Sequence, residues 1–302
     1  MTALLTHPDF LLHETPHNHP ESSERIRSVI QHLKSTGIID EATPIAPDLA
    51  SLESLASVHA KDYVDQIERA LPSVGMLRID ADTSIGPNSL NAARRSAGAV
   101  VRAVDEALSG NHPKSFCVVR PPGHHAESSQ GMGFCLFNSV AVAAQHALQT
   151  LDRVAILDFD VHHGNGTVEM FADRPEVLVC SSFQFPFYPY RYQDVDSPNI
   201  VNTPLPAGSG SRDFRKAIEE DWTRPLENHR PQLILVSAGF DAHEDDPLAQ
   251  LMLEDDDFRW ITNWICEMAA THSEGRLVST LEGGYDLSAL ARCAAIHLEC
   301  LL

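Results

Sequence analysis

Lysine is scarce in this 302-residue chain and stands only at Lys34, Lys61, Lys114 and Lys216. No basic run exists. Lysine and arginine together number 22 against 42 acids, a formal net charge of −20 with histidine neutral. Cationic side chains grip a phosphate backbone, so the charge excludes a nucleic-acid binder. An acidic surface tolerates cationic partners and otherwise serves solubility. Cysteine is also sparse: Cys117, Cys135, Cys180, Cys266, Cys293 and Cys300, with no CxxC pair. Three of them lie in apolar runs, which predicts buried, reduced thiols and not a disulfide framework. No apolar stretch approaches the roughly 18 residues that span a bilayer. The opening MTALLTHPDF has no basic segment and no cleavage site, so no signal peptide is expected and a cytoplasmic location is. No repeat, low-complexity tract or Gly/Ser linker divides the chain, which predicts one domain over residues 1–302.

Hydrophobic residues make up 43% of the chain and charged residues 21%, enough to build a large core. Short β-branched runs alternate with amphipathic stretches. The runs are Ser115–Val119, Val154–Leu157, Val177–Cys180, Leu233–Val236 and Leu277–Leu281. Helices are predicted over Ser139–Leu148, Arg212–Asn228, Asp256–Ala270 and Leu287–Leu302, and earlier over Ser23–Ser35, Ser54–Leu71 and Ser89–Ser109. Each of the three early helices starts at or near a serine able to cap it. Near-continuous apolar strands separated by helices indicate a parallel sheet covered on both faces.

The segments directly after the strands carry the chemistry. Val119 runs into Arg120-Pro-Pro-Gly-His-His125, and Leu157 into Asp158-Phe-Asp-Val-His-His163. Val236 runs into Ser237-Ala-Gly-Phe-Asp241, and Leu281 into Glu282-Gly-Gly-Tyr285. In open α/β sheets the carboxyl edge is where ligands bind, so four distant segments are expected to meet in one crevice. If the strand continues, Asp158, Asp160 and His162 share a face. Asp160, His162 and Asp241 then form a two-carboxylate, one-imidazole set with an open position, the pattern of a catalytic metal site. His124 and His125 lie on the same edge, where a neutral imidazole can take a proton from water and return it to a leaving amine. Tyr285 follows Gly283-Gly284, a pair that predicts a flexible loop, and its hydroxyl is suited to stabilise an oxyanion.

RPPGHHAESSQGMGFCLFNSVAVAA, LDFDVHHGNGTVEMF, VSAGFDAHEDDPLAQLML and LEGGYDL resemble the zinc-dependent histone deacetylase family, its class II side in the Asn of HHGNGT. Bacterial members of that family include deacetylase-like and acetylpolyamine amidohydrolases. The resemblance runs from His19-Pro20-Glu21 to Tyr285. It implies the arginase/deacetylase fold, a single α/β domain with an eight-stranded parallel sheet flanked by helices.

By the same resemblance, Asp160, His162 and Asp241 are implied zinc ligands. His125 is the implied general base and acid, with Asn165 behind it where some members carry Asp. His124 is its implied electrostatic partner, oriented by Asp158, and Tyr285 the implied carbonyl-polarising residue. Phe134 and Tyr188 would line an acyl-lysine tunnel, with Gly133 leaving room for the chain to pass. The backbone of Asp158, Asp160 and His162, with Ser181 and Ser182, matches a structural potassium site. Phe171 and Val177 match part of a second.

The implied substrate is an acylated lysine or a small acylated amine. The chain also departs from the family. Ser23 stands where the amino-terminal motif usually has Pro, Tyr188 where Phe is usual, and Leu248 where polyamine-selective members can carry Glu. The segment before His19 lacks the insertion that builds dimers in the acetylpolyamine enzymes. Leu248 therefore favours acyl-lysine over polyamine, with Glu244, Asp245 and Asp246 as the other acids near the mouth. An arginase-type hydrolase would need two metal ions and further carboxylates. A non-catalytic acetyl-binding module would be expected to lack Tyr285 or one of the paired histidines.

Overall fold

The computed structural model describes residues 1–302. Its strands, in chain order, are β1 (Thr2–Leu5), β2 (Thr43–Ile45), β3 (Leu77–Arg78), β4 (Ser84–Ile85), β5 (Lys114–Cys117), β6 (Val154–Asp158), β7 (Val177–Gln184), β8 (Ile200–Leu205), β9 (Ile234–Ala238) and β10 (Leu277–Leu281). Helices are α1 (Ser23–Thr36), α2 (Leu52–Leu55), α3 (Lys61–Ala70), α4 (Ser89–Ser109), α5 (Ser139–Ala147), α6 (Asn165–Phe171), α7 (Ser211–His229), α8 (Asp255–His272) and α9 (Leu287–Leu301).

Eight strands form one parallel sheet in the order β2-β1-β5-β10-β9-β6-β7-β8. β3 and β4 make a separate antiparallel pair. The expected eight-stranded parallel α/β fold is therefore present. After β5 the chain skips two places to β6, runs outward to β8, and returns through β9 and β10 to fill the gap. The four motif-bearing strands are consequently the four contiguous central ones, β5-β10-β9-β6. Their side chains are buried on both faces, which is why they read as unbroken apolar runs.

Sixty-three buried residues form the main core around the sheet. A second cluster of 12 joins α3 and α4 to Leu136 and Phe137, under the loop that follows β5. No helix is long and apolar enough to cross a membrane. All six cysteines are free, four of them buried.

Some sequence expectations need correction. The helix predicted over Ser54–Leu71 is two, α2 and α3, with a break at residues 56–60. Tertiary hydrogen bonds account for the break. His59 Nδ1 faces the Glu127 carbonyl at 3.0 Å, and the Asn138 amide donates to His59 Nε2 at 2.9 Å. The Ala60 amide donates to the Ser128 carbonyl at 2.7 Å. β1, β2 and β8 lie outside the predicted runs. β2 and β8 are the outermost strands and carry Pro44 and Pro204, residues that an edge tolerates and that mask the strand pattern. α1 is preceded by Ser22 and α4 by Asn88, and neither side chain makes a capping hydrogen bond.

Candidate active site

The loop after β6 is built by its own carboxylates. β6 ends at Asp158, so the extended-strand expectation for Asp160 and His162 fails. Instead Asp158 Oδ1 accepts from the Asp160 amide at 3.1 Å, and Asp160 Oδ1 accepts from the His162 amide at 2.9 Å. Two successive bonds of this kind curl the chain at the sheet edge. Asp160 and His162 still converge, by turn geometry and not by strand alternation. His163 points away, its Nε2 2.9 Å from Asn202 Oδ1.

Asp160, His162 and Asp241 are all buried, with one potential ligand atom from each lying within 4.8 Å of the others. His162 Nδ1 is 3.0 Å from Asp160 Oδ1 and 3.1 Å from Asp241 Oδ2. Asp241 Oδ1 accepts from the Val161 amide at 3.0 Å, whereas Asp241 Oδ2 is buried without a hydrogen-bond partner. Burial opposes charge on His162, yet Asp160 and Asp241 raise its imidazole to about 10. Burial and the Asp160 charge together raise the Asp241 carboxyl. This is a pocket that favours positive charge, with Asp241 Oδ2 making no hydrogen bond and lying beside His162 Nδ1. A divalent cation fits those donors. Gly283 provides the space: a Cβ there would strike Asp241 Oδ2 and lie 2.6 Å from Asp160 Oδ2.

The paired histidines stack at 4.0 Å between ring centroids and have different partners. His124 Nδ1 is 2.9 Å from Asp158 Oδ2, and His125 Nδ1 is 2.7 Å from Asn165 Oδ1. Burial opposes charge on His124, but Asp158 and Asp160 raise it to about 10. Burial first, then the neighbouring His124 and His162, hold His125 well below its ordinary value. The surroundings favour the charged form of one imidazole and the neutral form of the other, an opposed pair suited to acid–base chemistry.

Glu282 opens the Glu-Gly-Gly-Tyr segment, and its residue type alone announces no role. Its Oε2 accepts from the Gly123 and His124 amides at 2.6 and 3.2 Å, so β10 positions the histidine loop. The Tyr285 loop, flexible by its glycines, is in fact tethered. Asp246 Oδ2 accepts from the Tyr285 and Asp286 amides at 2.7 and 3.2 Å. Buried Arg25 donates to the Gly284 carbonyl at 2.6 Å and to the Glu282 carbonyl, and lies 5.0 Å from the Tyr285 ring centre. Burial raises the Tyr285 phenol well above its ordinary value, which keeps it a donor. Asp246 is buried by this tether, so it is removed from the set of rim acids, whereas Glu244 and Asp245 are exposed. Leu248 is partly buried, its amide 3.0 Å from Asp246 Oδ1.

Tyr188 stands edge-on to His125 at 5.3 Å and to His162 at 6.0 Å, with Phe187 stacked on His162 at 5.4 Å. Phe134 packs edge-on against Tyr285 at 5.8 Å and His19 at 4.7 Å. Phe187 and His19 are aromatic neighbours that sequence reasoning does not assign. Gly133 meets a second requirement beside the implied one. A Cβ at this position would meet the His125 ring, with Cγ at 2.8 Å, and its φ is +56°. Gly133 makes room for the His125 ring. Gly133→Ala is expected to displace His125 and lower kcat by about 10²-fold, with KM little changed. Steady-state kinetics on a folded variant checks this.

Ser181 pairs across the sheet with Asp158, so those two implied potassium-site residues are adjacent. Ser182 is buried on the same strand. The Phe171 and Val177 carbonyls are already engaged: both accept from the Asn199 amide nitrogen at 2.8 Å, and the Arg174 carbonyl accepts at 3.0 Å.

A parallel α/β sheet with a buried carboxylate–imidazole–carboxylate triad and paired histidines at its carboxyl edge defines a candidate metallohydrolase. The chain matches the histone deacetylase domain over residues 19–301 and belongs to that family. It is similar to a histone deacetylase-like amidohydrolase of Pseudomonas aeruginosa, with 37% identity covering 93% of this chain and 76% of that one. A probable deacetylase of Archaeoglobus fulgidus is 35% identical, covering 95% of this chain and 82% of that one. Human polyamine deacetylase HDAC10 is 33% identical over 100% of this chain, which spans 48% of it. The crystal structure of the HDA15 HD domain superposes with a TM-score of 0.93 at 31% identity, covering 99% of this chain and 87% of that one.

Proposed function

We propose that this chain hydrolyses the amide of an acylated amine, removing acetyl or a short acyl group from acyl-lysine or a related small molecule. The observation that carries this reading is the placement of the clustered Asp160, His162 and Asp241 side chains beside His125, which is hydrogen-bonded to Asn165. Asp160, His162 and Asp241 would hold one Zn²⁺ ion. When bound, the ion supplies a Lewis acid that polarises the acyl carbonyl and acidifies water.

The remaining work belongs to the side chains. His125 takes the proton of the attacking water and returns it to the departing amine. His124, charged beside Asp158, favours the developing anion. Tyr285 donates to the oxyanion. Phe134 and Tyr188 hold the aliphatic stem and exclude water. A structural K⁺ ion is assigned to the backbone of Asp158, Asp160 and His162 with Ser181 and Ser182, and part of a second site to the Phe171 and Val177 carbonyls, which here accept from Asn199 Nδ2.

Substrate choice rests on Leu248. An ammonium beside an apolar side chain gains nothing for the water it loses. The net charge of −20 acts at a distance and is screened beyond about 8 Å at physiological salt, so it does not supply a local contact. Acetyl-lysine peptides are expected to exceed acetylspermidine in kcat/KM. Leu248→Glu is expected to move that ratio toward the polyamine. Both substrates measured on both variants at fixed ionic strength test it. A native preference for acetylspermidine would overturn the lysine assignment, and hydrolysis of neither substrate class would overturn the amidohydrolase reading.

A further inference from the structure

The base candidate His125 works only with its Nε2 lone pair free, which requires the proton of the neutral ring to sit on Nδ1. The partner at Nδ1 is Asn165, an amide that presents either an oxygen or an NH₂ group depending on which way it is turned. Nothing in Asn165 alone chooses. Its surroundings do. Asn165 Nδ2 faces Glu127 Oε1 at 2.8 Å, the His125 carbonyl at 3.3 Å and Met132 Sδ at 3.5 Å. All three are acceptors. Turning the amide over would set its oxygen against a carboxylate and a carbonyl. Glu127 is in turn held: its Oε2 accepts from Arg191 Nη2 at 2.7 Å and Gln130 Nε2 at 2.9 Å, and its backbone carbonyl faces His59 Nδ1 at 3.0 Å. Glu127 is buried, whereas Arg191 reaches it from the surface.

We propose that Glu127, anchored by Arg191 and Gln130, is a positioning residue that locks the Asn165 amide oxygen toward His125 and so selects the Nδ1-protonated tautomer of the base. This rests on the reading of His125 as the base. An aspartate at position 165 would accept from His125 in either orientation and would need no lock. An asparagine there needs an acceptor behind it, and Glu127 is that acceptor.

Glu127→Gln tests the lock because it keeps shape and halves the acceptors. Both sides of residue 127 demand an acceptor, and a glutamine has one oxygen. Charged Arg191 competes for it more strongly, so the new NH₂ group faces Asn165, which turns to meet it with its own oxygen. His125 then faces an NH₂ group and shifts its proton to Nε2. The expected result is a fall in kcat of about 10²–10⁴, the range of a lost general base, with KM within about twofold. In the background of Asn165→Asp the carboxylate at 165 faces Glu127 and the two must share a proton, so the same change should relieve that contact and not lower kcat, because a carboxylate accepts from His125 in either orientation. An equal loss in both backgrounds would mean that Glu127 only supports the fold, and would overturn the proposal.

A second readout does not depend on turnover. With ¹⁵N-labelled histidine in the metal-loaded protein, the His125 signals should report Nδ1–H in the wild type and Nε2–H in Glu127→Gln. A wild-type Nε2–H tautomer, or no change on substitution, would overturn the proposal. If the wild type shows Nδ1–H and the switch but no amide is hydrolysed, the lock stands and the functional reading falls.

Discussion

Asp241→Ala is expected to remove metal and activity together. It deletes Asp241 Oδ2, the carboxylate oxygen of the candidate ligand set that makes no hydrogen bond and lies 3.1 Å from His162 Nδ1, and with it a third of that set. Loss of an outer partner of a metal ligand typically costs about 10–100-fold in affinity, so loss of a ligand should cost more than about 10²-fold. The substitution also strips the acceptor from the Val161 amide, which sits 3.0 Å from Asp241 Oδ1. An orphaned buried amide costs about 1–3 kcal/mol, so some loss of thermal stability accompanies the variant. Asp241→Asn separates the two effects. It can keep the Val161 hydrogen bond and removes the charge. The asparagine variant should fold with near-native stability and still bind zinc poorly. Zinc content by elemental analysis, melting temperature and acyl-lysine turnover measured on one preparation decide the matter. Stoichiometric zinc with full activity in Asp241→Ala would take Asp241 out of the site.

The second large effect is expected at Tyr285. Tyr285→Phe removes a hydroxyl and leaves the ring where the structure anchors it. The anchors are the Asp246 bond to the backbone amide, Arg25 over the ring and Phe134 against its edge. None needs the hydroxyl. Folding and substrate entry should therefore be unchanged. Removing one oxyanion donor costs about 10²–10³ in kcat. An effect confined to KM would mean that the hydroxyl binds the ground state and contributes nothing specific to the transition state. The Arg25 and Asp246 contacts make a related distinction. Substituting either should disturb the position of the phenol, so kcat would fall with the hydroxyl still present.

The carboxyl edge is legible in the sequence because the reactive residues stand directly after apolar runs. Buried parallel strands leave a strong signature, and Val154–Leu157, Leu233–Val236 and Leu277–Leu281 all fall within or beside observed strands. The outer strands are weaker signals, since β2 and β8 carry prolines. The break between α2 and α3 is invisible locally: residues 54–71 have helical periodicity, and only His59 and Ala60 bonding to the loop at 127–138 interrupts it. Strand alternation groups Asp158, Asp160 and His162 on one face, whereas in the structure turn geometry brings Asp160 and His162 together and Asp158 faces His124. Short acidic side chains bonding to amides two residues ahead turn the chain where a continuing strand is the simple expectation.

The residues that meet at the site are thus legible one by one, because zinc-type ligands, a paired imidazole and a phenol each have a distinctive chemistry. The partners that orient them are not. Glu282 reaches back 158 and 159 positions to hold His124 and Gly123, and Arg25 reaches 259 positions to hold Gly284. Such bonds join ordinary acids and arginines whose types announce nothing. By itself the sequence indicated the parallel α/β class through its local pattern and the family through the resemblance of its motifs, and it placed the candidate reactive groups within those motifs. Only the tertiary structure decided that β9 and β10 return between β5 and β6, which brings all four loops to one crevice. It alone set Asp241 Oδ2 beside His162 without a hydrogen bond and turned the Asn165 oxygen toward His125, because burial and hydrogen-bond direction exist only once distant segments are packed together.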